Sequence, residues 1–275
     1  MTRDRRLTPF SGRIAHRSLE GQVPALVFTD GEPARIHHPV TDLRASPDGA
    51  RDRQLLFGAD VLIIERRMGW TFVQARADGY CGWVATEALG KPQVTTHWVS
   101  APATHIYREA SIKQGEVARL SLGAHVTVTG QEGMFATTPE GFIPRQHLRP
   151  LGDWGTDPVA LAESLIGTPY LWGGNARDGI DCSGLVQIAF TACGRACPGD
   201  SDMQWRDFGS ALPEGAALQR GDLLFWKGHV ALVCDAGRLI HANGHTISVA
   251  YERIADCKAR IAAAGEGPWL GAKRP

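Results

Sequence analysis

The run Pro169-Tyr170-Leu171-Trp172-Gly173-Gly174, followed shortly by Asp181-Cys182-Ser183-Gly184-Leu185-Val186, puts a cysteine where a glycine-rich polar loop turns into a helix. Leu185, Val186, Ala189 and Phe190 recur at three- and four-residue spacing, the pattern of a helix with one face on a core. The first backbone N–H groups of a helix are unpaired and carry the positive end of its dipole. A thiol held there is more easily ionised. Cys182 is therefore expected to be a nucleophile, kept as a thiolate by the helix start.

A cysteine nucleophile needs a base, and the base needs an orienting partner. Of the ten histidines, His229 and His241 fall in two adjoining strand-like runs beyond the Cys182 helix. The link Cys234-Asp235-Ala236-Gly237-Arg238 suits a three-residue hairpin loop with its glycine left-handed. An odd loop pairs residues of equal parity, which places His229 and His241 on one face of the sheet. A two-residue loop would put them on opposite faces. His105, His125, His147 and His245 read as ordinary half-buried polar residues.

These groups must be held by an α+β domain. From about Gly152 the chain changes character. Pro158 to Gly167 fits a helix, with Asp157 as N-cap and Pro158 at the first position. The Cys182 helix follows, and then the runs Leu223–Trp226, His229–Val233 and Arg238–His241. A helix pair before antiparallel strands is an α+β arrangement. Upstream, Leu56-Phe57-Gly58-Ala59-Asp60-Val61 is echoed by Ser121-Leu122-Gly123-Ala124-His125-Val126, and Gly82-Trp83-Val84 by Gly141-Phe142-Ile143. Alternating segments with turns at Arg67-Met68-Gly69 and Asp78-Gly79 indicate two small all-β SH3-like barrels, over residues 41–94 and 95–151. Residues 1–40, broken by Pro24, Gly31, Pro33 and Pro39, read as an extended arm with one strand around Ala25 to Phe28, and His37-His38 as a solvated loop.

In the 275-residue chain, acidic and basic residues balance at 29 each, so no broad attraction to nucleic acid or a membrane surface is expected. No apolar run approaches bilayer-spanning length. The first ten residues carry charge with no apolar stretch behind them, unlike a secretory signal, and a cytoplasmic location is expected. Six cysteines in such a setting do not imply disulfides, and Cys193-Gly-Arg-Ala-Cys197 lacks a second pair for zinc.

Taken together, Tyr170-Leu171-Trp172-Gly173-Gly174, Asp181-Cys182-Ser183-Gly184-Leu185-Val186, Gly221-Asp222-Leu223-Leu224-Phe225, Gly228-His229-Val230-Ala231-Leu232-Val233 and Leu239-Ile240-His241-Ala242 resemble the NlpC-type cell-wall cysteine peptidases. With two SH3-like modules in front, the chain resembles the subgroup of γ-D-glutamyl-L-diamino acid endopeptidases over about 41–275. The resemblance implies a papain-like Cys-His-His domain over 152–275. Cys182 would attack the γ-D-glutamyl–diamino acid amide, His229 would take the thiol proton and return it to the leaving amine, and His241 would orient the His229 ring. Neutral His241 stabilises an imidazolium less than a carboxylate would, so the ion pair is expected to lean on the helix start. No metal or cofactor is implied.

Members of this subgroup act on murein-derived peptides with a free L-Ala amine, L-Ala-γ-D-Glu-diamino acid. A desolvated ammonium needs carboxylate or hydroxyl partners. The candidates are Asp181 and Ser183 beside the nucleophile, Asp200 and Ser201 further on, and Tyr80 from the first barrel; helix capping and barrel packing are the competing uses of these residues. Tyr170 and Trp172 are candidates for the cleft lining, or for the core. Two positions depart from the subgroup's pattern: Ala59 stands beside Gly58 where an acidic residue is expected, and Gly199 precedes Asp200 where a basic one is expected. The barrels are expected to wall off one end of the cleft and restrict it to short peptides. Three alternatives stay open: action on intact cell wall with the barrels as binding modules, a non-catalytic peptide-binding protein, and acyl transfer through the same thioester.

Overall fold

The computed structural model describes residues 3–275, and backbone contacts divide the chain into two units that meet at Leu151/Gly152. No helix among the described residues is long and apolar enough to cross a membrane.

In the first unit a seven-stranded sheet runs in the order Arg51–Leu56, Val40–Arg44, Cys81–Ala85, Trp70–Ala75, Asp60–Arg67, Glu32–Ile36 and Leu89–Gly90. The expected arm over 1–40 is thereby corrected. Glu32–Ile36 is a strand of this sheet, because Ala34 and Ile36 turn inward to its core while Pro33 takes an exposed place. The strand foreseen near Ala25 exists as Val27–Thr29, paired in parallel with Ile14–His16. The second module has a three-stranded and a five-stranded sheet between His97 and Pro150.

The sequence echo is a repeated turn. Gly58 and Gly123 both have positive φ, at 82° and 84°, and their N–H groups bond to the carbonyls of Ile36 and Val99. His125 N–H donates to the Phe57 carbonyl at 2.9 Å, so one copy's turn sits on the other's. A side chain at Gly58 would overlap the His125 carbonyl.

The second unit begins with α1 (Pro158–Glu163), capped by the Asp157 carboxylate on Val159 N–H at 2.9 Å. It is shorter than expected: the chain leaves the helix after Glu163 and passes through turns to Gly167, whose φ is 78°. The other helices are α2 (Cys182–Thr191), α3 (Ser201–Asp207) and α4 (Ile254–Ala264). An antiparallel sheet runs in the order Ser210–Ala211, Trp269–Arg274, Leu223–Trp226, His229–Val233, Arg238–Asn243 and Ser248–Arg253. Leu185, Val186, Ala189 and Phe190 of α2 are buried, and α2 packs on the His229–Val233 and Arg238–Asn243 strands.

Candidate active site

Cys182 is the first residue of α2, and Asp181 before it is the N-cap. The Asp181 carboxylate accepts from Gly184 N–H at 2.7 Å, from Ser183 Oγ at 3.0 Å and from Gly173 N–H at 2.9 Å. It therefore clamps the glycine loop to the helix start. Gly184 permits the closeness: a Cβ there would lie 2.5 Å from the Gly174 carbonyl oxygen. The Cys182 sulfur is almost fully buried and receives backbone N–H groups from its own helix start and from Val230. Val230 is the neighbour of His229, which ties the thiol to the histidine strand.

The pairing Leu232↔Ile240 and Val233↔Leu239 leaves Asp235, Ala236 and Gly237 as a three-residue loop, and the equal parity puts both imidazoles on one face. Gly237 is not left-handed, contrary to the expected loop type. The Asp235 carboxylate instead closes the turn by accepting from the N–H groups of Gly237 and Arg238, each at 2.9 Å. His229 Nε2 lies 2.9 Å from His241 Nδ1. His229 also packs against Trp226, with ring centroids 5.7 Å apart.

The charge state differs from the expectation of a resting thiolate. Burial pushes the Cys182 thiol up to about 12, and the Asp181 carboxylate pushes the same way; the helix-start N–H groups oppose without prevailing. Burial also pulls His229 down to about 3 and His241 to about 4. In the free site the thiol and both imidazoles are thus neutral. The helix terminus supplies about 0.3–2 kcal/mol, less than the cost of desolvating an anion there.

Of the proposed substrate contacts, Asp181, Ser183, Asp200 and Tyr170 come together around Cys182. Burial raises the Asp181 pKa, and the charge of Asp200 adds to it, so the two carboxylates share one region. Burial raises the Tyr170 pKa as well, followed by Cys182 and Asp181, and its hydroxyl stays a proton donor beside the thiol. Asp200 holds the N-cap position of α3 without a side-chain capping bond, and Ser201 opens that helix, half-buried. Gln204 ties α3 to α2 by donating to the Ser183 and Pro198 carbonyls at 3.0 and 2.9 Å. Trp172 is 70% exposed, which rules out a core role. Tyr80 is buried in the first unit, with the Arg53 guanidinium 5.2 Å over its ring and Arg53 in turn paired with Asp78. Asp60 is exposed, Ala59 is half-buried, and Gly199 is buried.

Behind His241 stands a pair that motif reading does not single out. Glu252 Oε2 is 3.2 Å from His241 Nε2, and Arg260 of α4 grips the same carboxylate through Nε at 3.0 Å and Nη2 at 2.8 Å. The only sequence signal for it is an acidic residue just before an amphipathic helix and a basic one within it. His241, Glu252 and Cys257 offer three ligand atoms within 4.8 Å of one another. Arg260 Nη2, also 3.7 Å from Cys257 Sγ, already supplies the positive charge at that point.

Residues 167–264 match the model of the NlpC/P60 family, and residues 43–89 that of the bacterial dipeptidyl-peptidase Sh3 domain. The chain is 31% identical over 229 residues to the gamma-D-glutamyl-L-lysine dipeptidyl-peptidase of Bacillus subtilis (strain 168), covering 74% of this chain and 76% of the relative. It is 28% identical over 250 residues to Dipeptidyl-peptidase 6 of Lysinibacillus sphaericus, covering 76% and 88%. The crystal structure of an NlpC/P60 family protein from Bacillus cereus ATCC 10987 superposes with a TM-score of 0.73 at 21% identity, covering 88% of this chain and 99% of that one, a likeness of fold.

Proposed function

The chain belongs to the NlpC/P60 family of cysteine peptidases, and from that premise we propose that it hydrolyses the γ-D-glutamyl–diamino acid bond of murein stem peptides bearing a free N-terminal L-Ala. The observation that carries the reading is the helix-start thiol of Cys182 held by the N–H of Val230, the residue next to His229, together with the 2.9 Å approach of His229 Nε2 to His241 Nδ1.

In this mechanism the Cys182 sulfur attacks the amide carbonyl as its proton passes to His229. With Nε2 of His229 occupied by His241, Nδ1 is the nitrogen left for that proton. The tetrahedral oxyanion is met by the Cys182 backbone N–H, which has no partner within the helix, and by the Tyr170 hydroxyl. The C–N bond breaks, the amine leaves with the proton from His229, and a water molecule hydrolyses the thioester and restores the thiol. Because both partners rest neutral, the thiolate forms during attack rather than before it.

The free-amine requirement is supported by Asp181 and Asp200, since the charge of Asp200 raises the proton affinity of Asp181 beside the nucleophile. An ammonium placed there relieves their repulsion, while an amide does not. In intact murein the L-Ala nitrogen is acylated, so this selectivity fits recycling of released peptides, with a cytoplasmic location as part of the same proposal.

Incubation with L-Ala-γ-D-Glu-diaminopimelate, its N-acetylated form and the Cys182→Ala protein tests the reading. The free peptide is expected to be split into L-Ala-γ-D-Glu and the diamino acid, with no turnover of the acetylated peptide or by the variant. Equal rates on blocked and free peptide refute the amine requirement; turnover by Cys182→Ala refutes thiol catalysis.

A further inference from the structure

The neutral His229–His241 pair has two possible proton arrangements, and only one is productive. If His241 carries its proton on Nδ1, it donates to His229 Nε2, and His229 must then hold its own proton on Nδ1, where the thiol proton has to go. If His241 is protonated on Nε2, its Nδ1 accepts from His229 Nε2–H, and His229 Nδ1 is left as a base. The choice is made at the far side of His241. Its Nε2 is buried, and among the described residues it has no well-aligned hydrogen-bond partner; the atom facing it is Glu252 Oε2 at 3.2 Å. Although off the N–H axis, a full negative charge at that distance favours a proton on Nε2 over a lone pair.

We propose that Glu252 is a positioning residue for the reaction: through His241 it sets the tautomer of His229 and leaves Nδ1 of His229 free to accept the Cys182 proton. Arg260 keeps Glu252 ionised and fixed in place by its two hydrogen bonds. The Cys257 thiol, which burial keeps protonated, lines the same carboxylate, and His245 is the remaining titratable group that His241 senses. No net proton moves along this line during turnover. When His229 becomes an imidazolium, its Nε2–H still points at His241 Nδ1, and the carboxylate two rings away stabilises the new charge. This inference rests on the reading of Cys182 and His229 as nucleophile and base.

The test uses the full chain and two readouts. In 15N spectra of histidine-labelled wild-type protein near neutral pH, His241 is expected to show a protonated Nε2 and a bare Nδ1, and His229 the same pattern. Glu252→Gln, close to isosteric, is expected to mix the tautomers of both rings and to lower kcat about 10- to 100-fold with KM little changed. Labelled Cys182→Ala is expected to keep the wild-type tautomers while losing all turnover, which separates this inference from the assignment of the nucleophile. A protonated Nδ1 on His241 in the wild-type protein overturns the proposal without any variant. So does a folded Glu252→Gln protein with wild-type kcat.

Discussion

The resting state of Cys182 has a direct consequence for its reactivity, and pH is the perturbation. Burial raises the thiol from an ordinary 9.0 to about 12, which is about 4 kcal/mol against the thiolate. At pH 7 about one Cys182 in 10⁵ is then ionised, against about one in 10² for an ordinary thiol, a deficit of about 10³. The helix start recovers at most about 2 kcal/mol, less than burial removes. Iodoacetamide reacts with thiolate, so the substrate-free protein should be alkylated at Cys182 far more slowly than free cysteine. The rate should climb about tenfold per pH unit from 6 to 10 with no plateau. Mass spectrometry of the modified peptide isolates Cys182 from the other five cysteines, and Cys182→Ala supplies the background. Rapid alkylation with a plateau reaching down to pH 5 would mean a standing thiolate–imidazolium pair. That result refutes the argument that desolvation outweighs the helix terminus here.

Stability should fall away on both sides of neutrality. His229 and His241 are held near 3 and 4 in the folded protein, so between those values and about 6.5 the unfolded chain binds more protons and stability is lost as pH falls. Asp181, raised by burial, opposes this in part. Above about 9 the unfolded chain releases thiol protons that Cys81, Cys182, Cys234 and Cys257 retain when folded, and stability is lost as pH rises. Urea midpoints should therefore peak between about 6.5 and 9; an unchanged midpoint from pH 7 to 5 contradicts the buried neutral imidazoles. Gly184→Ala should be destabilising by about 1–3 kcal/mol, even though alanine ordinarily favours a helix by about 1 kcal/mol. The new Cβ meets the Gly174 carbonyl at 2.5 Å and the Asn175 side chain at 2.9 Å, and backbone cannot step aside as a flexible side chain can. A raised melting temperature for this variant rules out the tight loop–helix approach.

Local chemistry was legible from residue order alone wherever neighbours in the chain are neighbours in space. The loop-to-helix junction at Cys182, its Asp181 cap and the hairpin parity of His229 and His241 follow from short-range periodicity and turn length. So does the doubled Gly58/Gly123 turn, since each copy repeats the same backbone bonds. Three features lay beyond that reach. The Glu32–Ile36 strand joins a sheet through partners at Asp60–Arg67 and Leu89–Gly90, and its proline and charges mask it as an arm until those edges are present. Glu252 and Arg260 become part of the site only when the Ser248–Arg253 strand pairs beside His241 and α4 folds back on it. The protonation of Cys182 likewise depends on how completely the sheet and loop exclude water from the sulfur. Residue types and spacing determine which groups can do chemistry, because helix and turn geometry act over a few bonds. Which of those groups carries a proton is decided by tertiary packing, because desolvation and through-space charge depend on everything folded around them.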